Sequence, residues 1–556
     1  MSKAYFPEIF EALRKQRGLS LESMEEFLSP SYDKLHDPML LPDMEKARDR
    51  VIKAINENEH IVVFSDYDAD GIPGAVVMSD FFSRAKYENV SFYIPHRHDE
   101  GFGLNKDAVE EIVLRGAKLL ITVDCGVADL DEVAQAQKAG VDVIITDHHE
   151  QKEKLPKAFA VVNPKRKDSK YPFKEICGSA VAYKLVQAVL AKEESASWRI
   201  GIKPGMEKWS LDMVGIATLS DMVPLVDENR IFAKYGLDVL RKATRPGLVA
   251  LFRKLNMNQK YLTEDDVAFM ITPRINAASR MGKPEDAFNL LKTNNILEAD
   301  KLADHLEKIN NERKGIVASL VKEAKSEMAL RESVSEVIFI GNPDWRPSLL
   351  GLVANSLVEE YSRPVFVWGR DGDGVLKGSC RSYDGINLYL LMDGVKEYFV
   401  EYGGHGGAGG FSITLENISN IEPALSKFVK TLDTKRTIED DNTAISITLD
   451  EVGESLWSTI SSFAPFGMSN PKPLFKMSNV EIHSAKNFGK TGNHLEVVVR
   501  SEKNKTIKAI SFFNTIESVG TPLAPGSRAN LGAYLEKSYF RNRPELRLRI
   551  VDIMSL

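Results

Sequence analysis

The chain has 556 residues, 43% hydrophobic and 27% charged, which is ordinary for folded soluble protein and too long for one hydrophobic core. At about 100–200 residues per domain, three or four domains are expected. A formal net charge of −7 excludes a protein that coats duplex DNA by bulk electrostatics, so any nucleic-acid contact must be local, as at carboxylates whose bound divalent ions reverse the field.

The N-terminus, Met1 to Glu8, lacks the apolar stretch of a secretory signal, and no later run reaches bilayer length, so the chain reads as cytoplasmic. Its three cysteines, Cys125, Cys177 and Cys380, lack the paired spacing of a zinc site or disulfide framework and read as reduced and structural. Residues 1–45 form an N-terminal arm. It has short helical patterns and then Leu35 to Pro42, where two prolines favour extended chain.

From 46 to 296 short apolar runs alternate with helical periods, the pattern of βαβ units around a parallel sheet. The runs are Ile61–Phe64, Leu119–Val123 and Val141–Thr146, rich in β-branched residues as buried parallel strands are. Each is followed by a polar cluster: Asp66-Tyr67-Asp68-Ala69-Asp70-Gly71, Asp124-Cys125-Gly126, and Asp147-His148-His149. In open α/β sheets the carboxyl ends of strands are where ligands bind.

Residues 297–330 carry one long helical pattern, through Leu302, Leu306, Ile309, Ile316 and Leu320, able to bridge two domains. A second, smaller α/β domain follows over 331–432, beginning at the strand-like Val337–Gly341. Residues 440–556 alternate with period two at His494–Val499, Ile507–Phe512 and Leu546–Ile550, which predicts a small β-barrel of OB-like architecture. The fold class is thus α/β multidomain: a parallel-sheet catalytic domain, a bridging helix, a smaller α/β domain and a C-terminal barrel.

Asp66, Asp68 and Asp70 cannot all face one way on a strand, but on the turn after it they can converge. Like charges so crowded repel by roughly one to a few kcal/mol per pair unless a cation compensates them, so the cluster predicts a divalent ion. A solvated acidic turn is the alternative, and it does not require Asp124, Asp147, His148 and His149 at equivalent strand ends. Carboxylates mixed with imidazole favour manganese over an all-oxygen magnesium site. Asp221 ends an apolar helical stretch; alone it is a helix-end polar residue, but beside the other acids it makes two ions bridged by one carboxylate plausible, to activate a water and neutralise a phosphoryl transition state.

Two later stretches suit phosphate: Gly378-Ser379-Cys380-Arg381-Ser382 and the glycine-rich run Gly403–Gly410 around His405, where amides can approach an anion beside a forked guanidinium. A flexible turn is the alternative. In the barrel, Lys537, Tyr539, Phe540, Arg541, Arg543, Arg547 and Arg549 interleave bases with aromatics, suited either to a single nucleic-acid strand or to a solvated basic face.

Taken together, these motifs in this order resemble the DHH family of phosphoesterases with its DHHA1 domain, and specifically its single-strand exonuclease branch, over nearly the whole chain. The resemblance implies a site for two ions, manganese or magnesium, held by Asp68, Asp70, Asp124, His148 and Asp221, with Asp66 near the first ion and Asp124 bridging. It implies catalytic roles for Asp124, Asp147 and His149, with His149 on the scissile phosphate. Arg97, Ser379 and Arg381 would hold a 5′-terminal phosphate, Phe102 would act as an aromatic wedge, Arg274, Asn276 and Arg280 would line the strand's path, and His405 matches the histidine of the glycine loop.

The implied activity is 5′-to-3′ hydrolysis of single-stranded DNA to 5′-mononucleotides in repair and recombination, with a single-strand-binding protein and a helicase as partners. Ser279 stands where glycine is expected, Ile72-Pro73-Gly74 replaces a more hydroxyl-rich turn, and Phe102 stands where tyrosine is frequent. Two other readings are a phosphodiesterase for short oligonucleotides or cyclic dinucleotides, which needs no long strand path, and a catalytically silent replication scaffold. Every implied ligand position is filled here, which counts against the scaffold.

Overall fold

The computed structural model describes residues 6–192, 202–242, 244–370, 376–404, 406–432, 444–489, 492–520, 522–539 and 544–556. His405, Phe540, Arg541 and Arg543 lie outside the described residues.

The first domain is built on five parallel strands, β1 (Ile61–Ser65), β2 (Val90–Tyr93), β3 (Leu119–Val123), β4 (Asp142–Thr146) and β5 (Ala160–Val162), in the order β2-β1-β3-β4-β5. Side chains alternate between faces. Ile61 and Val63 join the core under the helices Gly71–Arg84, Gly178–Lys192 and Leu211–Ser220, whereas Val62 and Phe64 join the opposite core under Lys106–Leu114 and Leu130–Lys138. With both faces covered, β1 and β3 are buried along their whole length, which is why they read as unbroken apolar runs. The half-buried β2 and the three-residue β5 leave too little pattern to recognise in the sequence.

Register then fixes the functional edge. Ser65 pairs with Val123 and Val123 with Thr146, so the next residues, Asp66, Asp124 and Asp147, emerge side by side.

The bridging helix spans Ile296–Met328, 33 residues, or about 50 Å at 1.5 Å per residue. Asn295 caps it by accepting from the amides of Leu297 and Glu298. Ala299, Ala303, Leu306 and Ile309 bury into the first domain and Ala324 and Met328 into the second, so one rod sets the spacing of both.

The second sheet runs β6-β7-β8-β10-β9, from β6 (Ile338–Gly341), β7 (Val365–Arg370), β8 (Leu376–Arg381), β9 (Glu401–Gly404) and β10 (Ala408–Ile413). Most of the glycine-rich run is therefore an antiparallel hairpin on β9 and β10 rather than a free loop, with Gly410 opposite Ser379 and Ala408 opposite Arg381.

The C-terminal strands are β11 (Ile445–Ser446), β12 (Leu474–Phe488), β13 (His494–Arg500), β14 (Thr506–Ser511), β15 (Arg528–Ser538) and β16 (Glu545–Ser555). The long β12 pairs with β15 through its first half and β13 through its second, which closes β12-β13-β14-β16-β15 into a five-stranded barrel. Register shifts at Met477/Val480 and Ile482/Ser484 interrupt the alternation of β12.

The N-terminal arm contains helices Pro7–Gln16 and Leu21–Leu28, and Ile9, Leu13, Met24 and Phe27 are part of the barrel's core. The two ends of the chain thus share one core. All three cysteines are buried and free, and among the described residues no helix is long and apolar enough to cross a membrane.

Candidate metal and phosphate site

The carboxyl edge of the first sheet gathers the acids. Asp68 accepts from the amides of Asp70 and Gly71, 2.7 and 3.2 Å, which folds the acidic turn back on itself at the start of helix Gly71–Arg84. Asp70 is held from the other side by the amides of Gly178 and Ser179, 2.7 and 2.8 Å. Asp124 has left-handed backbone, φ 62°, a conformation aspartate tolerates better than most side chains, and its amide bonds the Thr146 carbonyl at 2.9 Å. Asp221 follows the last residue of helix Leu211–Ser220.

Three overlapping sets of ligand atoms result, each with its atoms within 4.8 Å of one another: Asp66, Asp68 and Asp124; Asp124, His148 and His149; and Asp70, His148 and Asp221. His148 Nε2 lies 3.2 Å from Asp124 Oδ1 and 3.7 Å from carboxylate oxygens of both Asp70 and Asp221. Asp124 and His148 each belong to two sets.

Electrostatics show what the cluster lacks. Burial, then the charges of Asp70, Asp68 and Asp66, push the Asp124 carboxyl well above its ordinary value; burial and Asp68 do the same to Asp66. Burial together with Asp70 and Asp68 raises Asp221 to about 8, and burial lowers His148 to about 4. The buried Oδ1 atoms of Asp66 and Asp124 have no hydrogen-bond partner. Free lone pairs among crowded carboxylates and a neutral imidazole fit a divalent cation, which would supply the missing positive charge.

Asp147 is different. Its Oδ1 accepts from the amides of His148 and His149 and from His149 Nδ1 at 2.8 Å, and its Oδ2 accepts from the Val127 amide. Both oxygens are engaged, and the Oδ1 bond orients His149. Although burial opposes both charges, this bond holds Asp147 down at about 2 and raises His149 to about 9. His149 Nε2 is left for another partner.

Around this centre lie the residues expected on the substrate. Phe102 is 53% exposed, with its ring edge-on to His149 at 5.5 Å. Arg97 lies over the Tyr67 ring at 4.9 Å. Arg280 donates to the Ser348 carbonyl, 2.6 Å, at the start of helix Pro347–Tyr361, and Arg381 reaches Gly351 of the same helix. Ser379 is half-buried on β8.

Two residues sit elsewhere than expected. Arg274 is 3% exposed and pairs with Glu307 of the bridging helix at 2.8 Å, so it pins that helix. Asn276 accepts from the Ala69 amide at 3.0 Å and braces the acidic turn. Those of the barrel's basic and aromatic run that lie among the described residues are internally engaged: Lys537 with Glu454, Arg547 and Arg549 with Glu536, and Tyr539 stacked on Tyr261 of the first domain at 4.2 Å. Sequence reasoning missed Arg313, whose helical pattern gave no sign that its guanidinium lies near Arg280 and Arg274.

Comparison with known proteins assigns residues 60–218 to the DHH family N-terminal domain, 332–431 to the DHHA1 domain and 443–552 to the RecJ OB domain. The single-stranded-DNA-specific exonuclease RecJ of Bacillus subtilis is 32% identical over 98% of this chain and 68% of its own length. That of Haemophilus influenzae is 30% identical over 97% and 95%. The crystal structure of RecJ in complex with Mn2+ from Thermus thermophilus superposes with a TM-score of 0.79 at 25% identity, covering 98% of this chain and 75% of that one. A structure of the same protein in complex with Mg2+ gives 0.73 at 22% identity, over 98% and 74%.

Proposed function

This chain belongs to the RecJ family of single-stranded-DNA-specific exonucleases, and from that premise we propose that it degrades single-stranded DNA from the 5′ end to 5′-mononucleotides, using two divalent ions. It is a metal-dependent nuclease, and a role in DNA repair and recombination follows from the family. The observation that carries the reading is the overlap of ligand sets at Asp124 and His148. Asp66, Asp68 and Asp124 would hold one ion and Asp70, His148 and Asp221 the other, with Asp124 between them. Ions bound there would activate a water and neutralise charge developing on the phosphate.

The chain's own residues supply position. Asp147 fixes His149 with Nε2 outward and favours its cationic form, suited to donate to a non-bridging phosphate oxygen. Arg97, Ser379 and Arg381 would hold the 5′-terminal phosphate, with Arg280 between them and the acids. Phe102 would wedge beside His149 to unstack the terminal base. A terminus held at one fixed distance from the acids gives an exonuclease, and the requirement for an unpaired strand fits partners that generate or coat one, a helicase and a single-strand-binding protein.

The test is manganese-dependent digestion of matched single-stranded and duplex oligonucleotides labelled at either end, with Asp124→Ala as control. Loss of the single strand alone, from its 5′ end and absent in the variant, supports the proposal. Preference for dinucleotides would replace it with a small-substrate phosphodiesterase, and absence of turnover with a scaffold.

A further inference from the structure

Arg97 and Phe102 lie on the connection between β2 and helix Lys106–Leu114, which has no helix or strand of its own. Connections move more than the elements they join, and an aromatic ring that swings freely must be ordered again with every strand end it meets. Two carboxylates fasten this one. Glu100 accepts from the Tyr93 hydroxyl and the His96 amide, both at 2.6 Å, and from Asn105 Nδ2 at 3.3 Å, which closes the half that carries Arg97. Asp129 takes the other half, where its Oδ2 accepts from the Leu104 amide at 2.7 Å.

Phe102 stands between Gly101 and Gly103, both left-handed at φ 81°. Gly101 faces open space, but a Cβ on Gly103 would fall 2.8 and 3.0 Å from the two carboxylate oxygens of Asp129, so that carboxylate packs directly against the backbone beside the ring. Asp129 belongs to the loop that follows β3 and starts at Asp124, and its own amide bonds the Gly126 carbonyl at 3.2 Å. In the same loop the Val127 amide donates to Asp147 Oδ2 at 2.9 Å, Asp147 Oδ1 accepts from His149 Nδ1, and His149 meets the Phe102 ring edge-on. The contacts therefore close a circuit through Phe102, Leu104, Asp129, Val127, Asp147 and His149. One loop sets both the exposed ring and the histidine beside it.

Stability does not account for Asp129. Burial, with Glu132 and Asp147 adding to it and the Leu104 bond opposing, raises its carboxyl to about 6. A folded-state value above the unfolded one means that the ionised form costs the fold free energy at neutral pH. A neutral side chain of the same shape would fold at least as well.

We infer that Asp129 is a positioning residue for the terminal base: by fixing Gly103 and Leu104 it holds the Phe102 ring at a set place beside His149, and so determines how strongly the cleft selects a strand end that can unstack. The inference rests on the wedge reading of Phe102 above and assigns the residue that makes the wedge rigid.

The substrates are two 5′-phosphorylated single strands, identical except that one carries an ordinary base and the other an abasic residue at its 5′ end, digested by full-length protein with manganese. Asp129→Ala should lower kcat/KM on the base-bearing strand by about tenfold and on the abasic strand by less than about twofold, because only the first has a base to unstack. Its melting temperature and its manganese concentration for half-maximal activity should be unchanged. Asp129→Asn, whose amide oxygen can still accept from Leu104, should restore activity and melt no lower than the unsubstituted protein. In a Phe102→Ala background Asp129→Ala should add no further loss, since its effect runs through the ring. Equal loss on both strands, a raised manganese requirement, or a further loss in the Phe102→Ala background overturns the assignment in favour of general disturbance of the loop after Asp124. If Phe102→Ala digests the base-bearing strand normally, it is the wedge reading that fails; a loss in Phe102→Ala with none in Asp129→Ala keeps the wedge and removes Asp129 from it.

Discussion

Arg230 Nε donates to the Phe27 carbonyl at 2.5 Å while its guanidinium lies 3.6 Å from the centre of the Phe27 ring, so one side chain of the catalytic domain grips the N-terminal arm by both backbone and face. The same guanidinium donates to the carbonyls of Phe463 and Ala464 in the segment leading into the barrel. At 2% exposure and, among the described residues, without a carboxylate partner, it is a cation held by main-chain oxygens. The contact continues toward the site, because the Leu225 amide bonds the Met468 carbonyl at 2.8 Å, four residues after Asp221.

Arg230→Met is accordingly expected to strand the Phe27 and Ala464 carbonyls at about 1–3 kcal/mol each, since the Phe463 carbonyl keeps its bond from Asn470 Nδ2, and to loosen the chain behind Asp221. Thermal melting should fall by several degrees, and the manganese concentration for half-maximal nuclease activity should rise, with activity partly recovered at high manganese. Unchanged melting together with an unchanged manganese requirement would remove the clamp.

Asp124→Asn should separate stability from activity. Asparagine tolerates the left-handed backbone at φ 62°, and it removes one negative charge from a buried set whose carboxyls resist ionisation. In EDTA the variant should melt above the unsubstituted protein. Manganese should raise the melting temperature of the unsubstituted protein and leave the variant nearly unmoved, while nuclease activity falls at least about a thousandfold, ~4 kcal/mol in activation free energy. Equal manganese stabilisation of both proteins would place the ion elsewhere.

Much of this site was legible because strand ends and sequence coincide: β1, β3 and β4 are apolar runs, and a polar cluster begins at the end of each. What the sequence hid is the direction of side chains. Asp147 reads like Asp124, yet a local set of amide donors turns it toward His149. Arg274 and Arg280 are six apart in one segment, and only packing against Glu307 makes one an anchor and leaves the other in the cleft. Arg313 lay in a charged helical stretch like any solvated face. In the barrel's basic run, the sequence does not show that Lys537, Arg547 and Tyr539 are met by Glu454, Glu536 and Tyr261.

Asp43 provides a pH test away from the metal centre. Its carboxylate accepts from Arg166 at 2.6 Å and from the Val161 amide at 3.2 Å, which against burial lowers its titration below the ordinary value. The folded state therefore binds its proton less readily than the unfolded chain, so the stabilisation is present above about pH 4 and is lost as pH falls through the depressed value. Asp43→Asn should cost about 1–2 kcal/mol at pH 7, and its melting curve should converge on that of the unsubstituted protein in more acid solution. A gap constant with pH would assign the loss to packing.

Phe102→Ala tests the wedge. An aromatic ring so exposed contributes little to the core, so melting should hold, whereas loss of base stacking worth about 1–3 kcal/mol should lower kcat/KM on single strands by roughly 5- to 150-fold. Phe102→Tyr should retain most activity. Full activity in Phe102→Ala would leave the ring without a role in unstacking.

Gly178 supports Asp124 by having no side chain. A Cβ there would fall 2.5 Å from Asp124 Oδ1 and 2.6 Å from its Cβ, and Asp124 cannot retreat, since its amide is tied to Thr146. The Gly178 amide also holds Asp70, so displacement by one methyl would disturb all three ligand sets at once. Gly178→Ala should therefore lose manganese-induced stabilisation and most nuclease activity. Gly315→Ala is the contrasting control: it lies inside the bridging helix with nothing within 4 Å of its added Cβ, and should stabilise that helix by about 1 kcal/mol. If Gly178→Ala bound manganese as tightly as Gly315→Ala does, the close approach of helix Gly178–Lys192 to Asp124 would have no part in shaping the site.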